Sequence, residues 1–152
     1  KPVASWKYGA ATIIALVHDI LLSAGVFVVW SHFFGGDLDL LFVSALLAIL
    51  GYSVHDTIVV FDRVRENLRI DHEKSERKEF ETIVGQSITQ TIGRSINTSL
   101  TLVLVLVALY FLGGESTRNF TFVLLVGVIA GTYSSIFLAS PLLVFFEKLQ
   151  KK

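Results

Sequence analysis

The 152-residue chain is 53% hydrophobic and 17% charged, and its mean hydropathy of +0.65 is far from the balance of a soluble globular domain. Its 13 basic and 13 acidic residues give a formal net charge of zero, which argues against a nucleic-acid-binding surface. The sequence contains no cysteine, which excludes disulfides, thiolate metal sites and cysteine nucleophiles. This composition indicates an integral membrane protein.

Four apolar segments are long enough to cross a bilayer, because about 20 helical residues span about 30 Å of hydrocarbon. The predicted transmembrane helices cover about residues 8–34, 38–61, 86–112 and 120–146. Short polar turns join the first helix to the second and the third to the fourth, whereas segment 62–85 is rich in charge and predicts a loop in the aqueous phase. The predicted fold class is therefore all-α, a single transmembrane domain over residues 1–152 that forms a polytopic four-transmembrane-helix bundle.

The basic residues predict the orientation of the chain. Eleven of them lie near the N-terminus, in segment 62–85 or in the C-terminal tail, whereas the two short turns contain only Arg118. The positive-inside rule then places both termini and the central loop in the cytoplasm. Because the chain begins with Lys1 and contains no methionine, we expect it to be a piece of a longer protein.

The fourth predicted helix is rich in small residues, which let helix backbones approach closely in a membrane. This pattern predicts that the helix lies at the centre of the bundle, and Pro141 near its end is placed where it can kink the helix. The small residues are Gly127, Ala130, Gly131, Ser134, Ser135, Ala139 and Ser140.

Ionisable residues inside the predicted helices indicate function. His18 and Asp19 lie in the first helix, His55 and Asp56 in the second, and Arg94 at the start of the third. An Asp or Arg at the centre of a transmembrane helix costs about 2.5–3.5 kcal/mol, so such residues need a partner or a role. Helical rise places Asp19 near the bilayer midplane and Asp56 about 9 Å inside the cytoplasmic face, a depth that Arg94 can match. We expect an Asp56–Arg94 ion pair that titrates during transport, or one that only fixes helix register.

Other chemistries fit these residues less well. His18 and His55 are either proton relays or hydrogen-bonding groups between helices. Two His-Asp steps on separate helices are a weak signal for a metal site. Asp19 and Asp56 differ in predicted depth and lie in no nucleophile motif, which argues against an intramembrane hydrolase. We therefore expect no catalytic residue, no metal and no cofactor.

Four motifs carry a family resemblance. The sequence GYSVHDTIVVFDRVREN at residues 51–67 resembles the signature of the SecF family of protein-export subunits, within the SecD/SecF group of the RND superfamily. The resemblance continues in SITQTIGRSINTSLT at 87–101, ALYFLGG at 108–114 and ALVHD at 15–19. The order and spacing of the four motifs also agree with this family.

The resemblance implies an architecture and a role. SecF-like proteins have six transmembrane helices, with a large extracytoplasmic domain between the first and second, and this chain resembles the last four helices. It implies a multi-pass protein of the plasma (inner) membrane that works with the SecD subunit beside the Sec translocon and uses the proton-motive force to assist export of polypeptides. The implied partners are therefore SecD, the translocon, the exported polypeptide, membrane lipids and protons. The zero net charge argues against nucleic acid as a partner.

The resemblance also implies site residues. Asp56 matches the proton-coupling aspartate, Arg94 its arginine partner, and Thr98 a polar residue of the proton pathway. Asp19, His18 and His55 are further candidates because they are ionisable residues inside the predicted helices, not because of the resemblance. Two alternatives stay open at this point: an RND-type proton-coupled exporter of small solutes or lipids, and a scaffold subunit without a transport role.

Overall fold

The structure is a computed structural model and describes residues 4–75 and 78–150. Every regular element within these ranges is helical, which confirms the predicted all-α class. A π-helical segment and the short α5 continue α4 without a break, so the last three elements form one rod. The elements are α1 (Ser5–Phe34), α2 (Leu40–Lys74), α3 (Phe80–Leu112), α4 (Glu115–Ser134), the π segment (Ser135–Ala139) and α5 (Ser140–Gln150).

Four of the described helices are long and apolar enough to cross a membrane, with the α4–α5 rod counted as one helix. These helices agree in number and order with the four predicted spans. Asp39 caps the N-terminus of α2 by accepting a 2.9 Å hydrogen bond from the backbone N–H of Phe42. The chain is therefore a multi-pass membrane protein by the length and composition of its helices.

The charged segment between the second and third spans differs from its prediction as a loop over residues 62–85. Here α2 continues to Lys74 and α3 already begins at Phe80. Ion pairs at helical spacing support the extension of α2, from Arg63 to Glu66 and from Arg69 to Glu73. Hydropathy reports whether a segment enters lipid and not whether it is helical, which is why the helices extend beyond the apolar spans.

The rod formed by α4, the π segment and α5 lies at the centre of the bundle, as its small residues predict, and is the most buried of the four spans. Gly127 of α4 packs against Ile49 of α2 so closely that an added Cβ would lie 2.2 Å from Ile49 Cγ1. At Gly131, one turn later, the added atom would lie 3.4 Å from the Ser53 Cα. The absence of side chains at these two glycines brings α2 and α4 together.

Two ion pairs between helices lie at one end of the bundle. Lys7 near the start of α1 donates to Glu147 of α5 at 2.7 Å, and the Lys7 side chain is only 1% exposed. On the same side, Lys148 of α5 pairs with Glu81 at the start of α3. The beginning of α1, the end of α5 and the polar extensions of α2 and α3 therefore lie at the same end of the bundle.

Candidate functional site inside the helix bundle

Asp19 of α1 is completely buried at the centre of the bundle. Its Oδ2 atom accepts hydrogen bonds from Ser53 of α2 and from Ser134 of α4, the latter at 2.7 Å. Its Oδ1 atom lies 3.0 Å from Nδ1 of the half-buried His18, whose role as donor or acceptor depends on the tautomer. Three helices thus converge on one carboxyl group.

Asp56 of α2 forms a second buried carboxyl site, with 7% of the residue exposed. Ser95 of α3 donates to Oδ1 at 2.8 Å, and Ser135 at the start of the π segment donates to Oδ2 at 2.7 Å. Neither Asp19 nor Asp56 forms an ion pair with a lysine or arginine anywhere in residues 4–75 and 78–150. Both carboxyl groups are therefore hydrogen bonded to neutral hydroxyls, and Asp19 also contacts the His18 ring.

The two sites are joined through the helices that carry them. Ser134 and Ser135 are adjacent, and neighbouring residues of a helix project about 100° apart, so each serine reaches a different helix. Ser53, which binds Asp19, lies one turn before Asp56 on α2. A single polar layer therefore contains both carboxyl groups.

The π segment begins at this layer. Ser140 Oγ donates to the backbone O of Ser135 at 3.0 Å, five residues back along the chain. Pro141 follows immediately and has no backbone N–H to continue the regular α-helical hydrogen bonding. Such π segments are frequent at functional sites, and this one positions Ser135 against Asp56.

A hydroxyl cluster extends the layer along α2, α3 and α4. Tyr52 Oη lies 2.8 Å from Ser99 Oγ and 3.2 Å from Thr132 Oγ1, and the two smaller hydroxyls are also hydrogen bonded to each other. Ser99 lies one turn beyond Ser95 on α3 and donates to its backbone O at 2.7 Å. The cluster thus begins one turn from the group that holds Asp56.

The predicted Asp56–Arg94 ion pair is absent from the part of the chain that the structure describes. Ser95 occupies the position on α3 that faces Asp56, and Arg94, one residue earlier, points to the exposed surface of the four helices. Thr98 shares that exposed face one turn later, and His55 is exposed beside Asp56. Of the predicted site residues, the structure brings His18, Asp19 and Asp56 into this polar layer. It places His55, Arg94 and Thr98 at exposed positions outside the layer.

The serine partners of the carboxyl groups were missed by sequence reasoning, although α3 carries a signal for the one that it contributes, Ser95. Small hydroxyl residues recur there at every fourth position, and all of them are buried. Such spacing places them on one helix face. The residues of this stripe are Ser87, Thr91, Ser95 and Ser99.

Sequence comparisons with known proteins identify the family of this chain. Residues 4–149 match the family described as protein export membrane protein SecD/SecF, C-terminal. The protein translocase subunit SecF of Thermobaculum terrenum is 51% identical over 142 residues, which cover 93% of this chain and 44% of the relative. The SecF subunit of Sebaldella termitidis is 44% identical over 146 residues, which cover 96% of this chain and 45% of the relative. The chain thus spans less than half the length of these relatives.

Solved structures give the same result in three dimensions. SecDF in its super-membrane-facing form superposes with a TM-score of 0.86 at 39% identity, over 96% of this chain and 19% of that chain. SecDF from Thermus thermophilus, described as a translocon-associated membrane protein, gives a TM-score of 0.84 at 39% identity, over 95% and 19% of the two chains. Sequence and structure therefore agree that this chain belongs to the SecD/SecF family of protein export membrane proteins and corresponds to their C-terminal membrane region.

Proposed function

We propose that this chain is the proton-coupling membrane region of a SecF-type accessory subunit, which uses the proton-motive force to help the Sec translocase export polypeptides across the plasma (inner) membrane. Asp56 is its central proton carrier and Asp19 a second one. The observation that carries this proposal is the set of neutral hydroxyl partners around two carboxyl groups inside a membrane-spanning bundle.

Serine hydroxyls suit a carboxyl group that changes its protonation state. A hydroxyl donates to a carboxylate but can also turn and accept from a carboxylic acid, whereas a guanidinium only donates. Ser135 Oγ lies 2.7 Å from Asp56 Oδ2 and 3.0 Å from the backbone O of Thr132, so its hydrogen has a second acceptor when the acid is protonated. Ser134 has the same choice between Asp19 and the backbone O of Gly131, at 3.2 Å. Both protonation states of each carboxyl group can therefore stay hydrogen bonded.

Arg94 and Thr98 keep a role in this proposal through the exposed face that they share on α3. A charged residue facing lipid is costly, so this face is expected to contact another part of the full protein or its SecD partner. The similarity to SecDF supports SecD as that partner, and the description of SecDF as translocon-associated supports the Sec translocon as the next one. The exported polypeptide is the substrate of the assembly.

The proposal is tested with Asp56→Asn in the full-length protein assembled with SecD. The variant keeps the size of the side chain but cannot exchange a proton, so we expect export to lose its dependence on the proton-motive force. The matched control is Asp37→Asn, in the exposed turn between α1 and α2. The measurement is export into inverted membrane vesicles, with and without a proton gradient.

A scaffold subunit predicts a different result. If Asp56→Asn assembles normally and retains gradient-dependent export, Asp56 is a structural group and proton coupling by this site is refuted. If Asp37→Asn loses export as well, the effect does not belong to the intramembrane site.

A further inference from the structure

A cavity of about 390 Å³ lies between α1 and α2 at the charged end of the bundle, away from the two carboxyl sites. Asp62 and Arg65 of α2 form its charged part, and Ile13 and Ile58 form part of its apolar wall. Tyr8 and Phe61 pack edge to face at 5.3 Å between these parts. The cavity is therefore polar at one end and apolar at the other.

The charged part lies at the level of the membrane interface. Trp6 and Tyr8 stand at the beginning of α1, and aromatic residues of this kind are enriched where helices enter a bilayer. The Arg65 guanidinium lies 4.4 Å from the centre of the Tyr8 ring, which fixes its charge at that level. Ile13 and Ile58 lie at least one turn deeper in the apolar spans and are exposed on the bundle surface.

Asp62 and Arg65 do not form an ion pair with each other. The two side chains have opposite charge and lie three residues apart on α2, but no ion pair joins them within the described residues. Arg63 and Glu66, offset by one residue, have the same spacing and do pair. The cavity thus presents one anion and one cation side by side.

We propose that this cavity binds the headgroup of a zwitterionic phospholipid that carries a primary ammonium, of the phosphatidylethanolamine class. Arg65 binds the phosphate, because a guanidinium matches phosphate oxygens with paired hydrogen bonds. Asp62 accepts from the ammonium. An acyl chain follows the wall at Ile13 and Ile58, whose side chains are exposed on the bundle surface.

The charges and the hydrogen bonds distinguish this lipid from the other common ones. A phosphatidylglycerol headgroup carries only negative charge. It would bring its phosphate close to the Asp62 carboxylate without an ammonium group to pair with that carboxylate. A choline headgroup is cationic but has no N–H to donate to Asp62. The cavity therefore favours the ethanolamine headgroup over both.

The test uses the full-length protein with its SecD partner, purified in detergent and titrated with lipids of identical acyl chains. Native mass spectrometry gives the affinity for phosphatidylethanolamine, phosphatidylglycerol and phosphatidylcholine, and soluble glycerophosphoethanolamine serves as a competitor. We expect phosphatidylethanolamine to bind about five- to tenfold more tightly than the other two, since a single charge near the interface changes binding by about that factor. Asp62→Asn and Arg65→Gln are each expected to remove this preference.

Matched variants isolate the cavity. Arg69→Gln and Glu73→Gln change an exposed ion pair of the same helix outside the cavity and should leave the preference unchanged. Ile58→Trp keeps both charges but obstructs the apolar wall at an exposed position, so it should weaken phosphatidylethanolamine binding without unfolding the bundle.

Several results would overturn the proposal. Equal affinity for the three lipids, or a preference for phosphatidylglycerol, refutes the zwitterionic site. Full displacement by glycerophosphoethanolamine shows a site for a soluble headgroup and not for a membrane lipid. A disulfide that forms efficiently between Ile58→Cys and a cysteine placed elsewhere in the full protein shows that a protein segment fills the cavity.

Discussion

Ser134 and Ser135 are neighbours in the chain, yet their hydroxyls bind two different carboxyl groups, Ser134 that of Asp19 and Ser135 that of Asp56. The centre of the bundle therefore links the first two helices through one pair of residues on the fourth. A change in the protonation of either carboxyl group alters a hydrogen bond of the same two-residue segment. The π segment that starts at Ser135 makes this the least regular part of the helix.

The first prediction concerns these hydroxyls. Ser135→Ala removes one of the two hydroxyls that donate to the Asp56 carboxylate and can accept from its protonated form. The lost hydrogen bond should destabilise the carboxylate form by about 1.5–3 kcal/mol, so we expect weaker gradient-dependent export. Ser44→Ala is the matched control, because the Ser44 hydroxyl is exposed and bonds only to Leu40 O of its own helix. Export into inverted vesicles is the measurement, and equal export by the two variants would contradict the assigned role.

The second prediction concerns the contact between α2 and α4. Gly127→Ala would place a Cβ 2.2 Å from Ile49 Cγ1, and overpacking of this kind costs about 1–3 kcal/mol. Gly51→Ala is the control, since no atom lies within 4 Å of its added Cβ, and this change should be neutral or slightly stabilising. Thermal unfolding of the full-length protein measures both.

A double-mutant cycle sharpens this test. Ile49→Ala removes the obstructing atoms, so Gly127→Ala should cost much less in that background than in the native protein. Additive effects of the two changes would show that the close approach is not the cause of the instability.

The third prediction compares two ion pairs of equal length at the same end of the bundle. Lys7 pairs with Glu147 and Lys148 with Glu81, both at 2.7 Å, but the side chains of the second pair are 63% and 54% exposed. Lys7→Met leaves Glu147 without its buried partner and should destabilise the protein by about 3–5 kcal/mol. Lys148→Met should cost at most about 1 kcal/mol. Similar unfolding temperatures for the two variants would refute the claim that the buried pair contributes more to stability than the exposed pair.

The fourth prediction concerns Arg94. Because its side chain points away from Asp56 and makes no ion pair in the described part of the chain, Arg94→Met should leave the unfolding temperature within a degree or two of the native value. If Arg94 serves proton coupling through a contact outside these four helices, the same variant should lose gradient-dependent export. Arg69→Met, on the exposed extension of α2, controls for the loss of a positive charge. Normal export by Arg94→Met would remove Arg94 from the proposed pathway.

The sequence predicted the helices correctly but not the partner of Asp56, because it gives the depth of a residue along a helix but not the rotation of that helix about its axis. Asp56 and Arg94 were matched by depth, a quantity that follows from helical rise alone. Whether two side chains meet also depends on the rotation of each helix about its axis. A rotation of one residue, about 100°, exchanges Arg94 for Ser95 at the carboxyl group.

The sequence alone determined the membrane class, the number and order of the four spans and the family, because lipid solvation requires long apolar segments and the motif at 51–67 is specific. It also pointed to the central position of the last helix through its small residues. Only the tertiary structure decided which groups hold the two carboxyl groups and that Lys7 is buried against Glu147. Those pairings between helices join residues 34 to 140 positions apart, and they depend on helix rotation and on the π segment, which local sequence patterns do not encode.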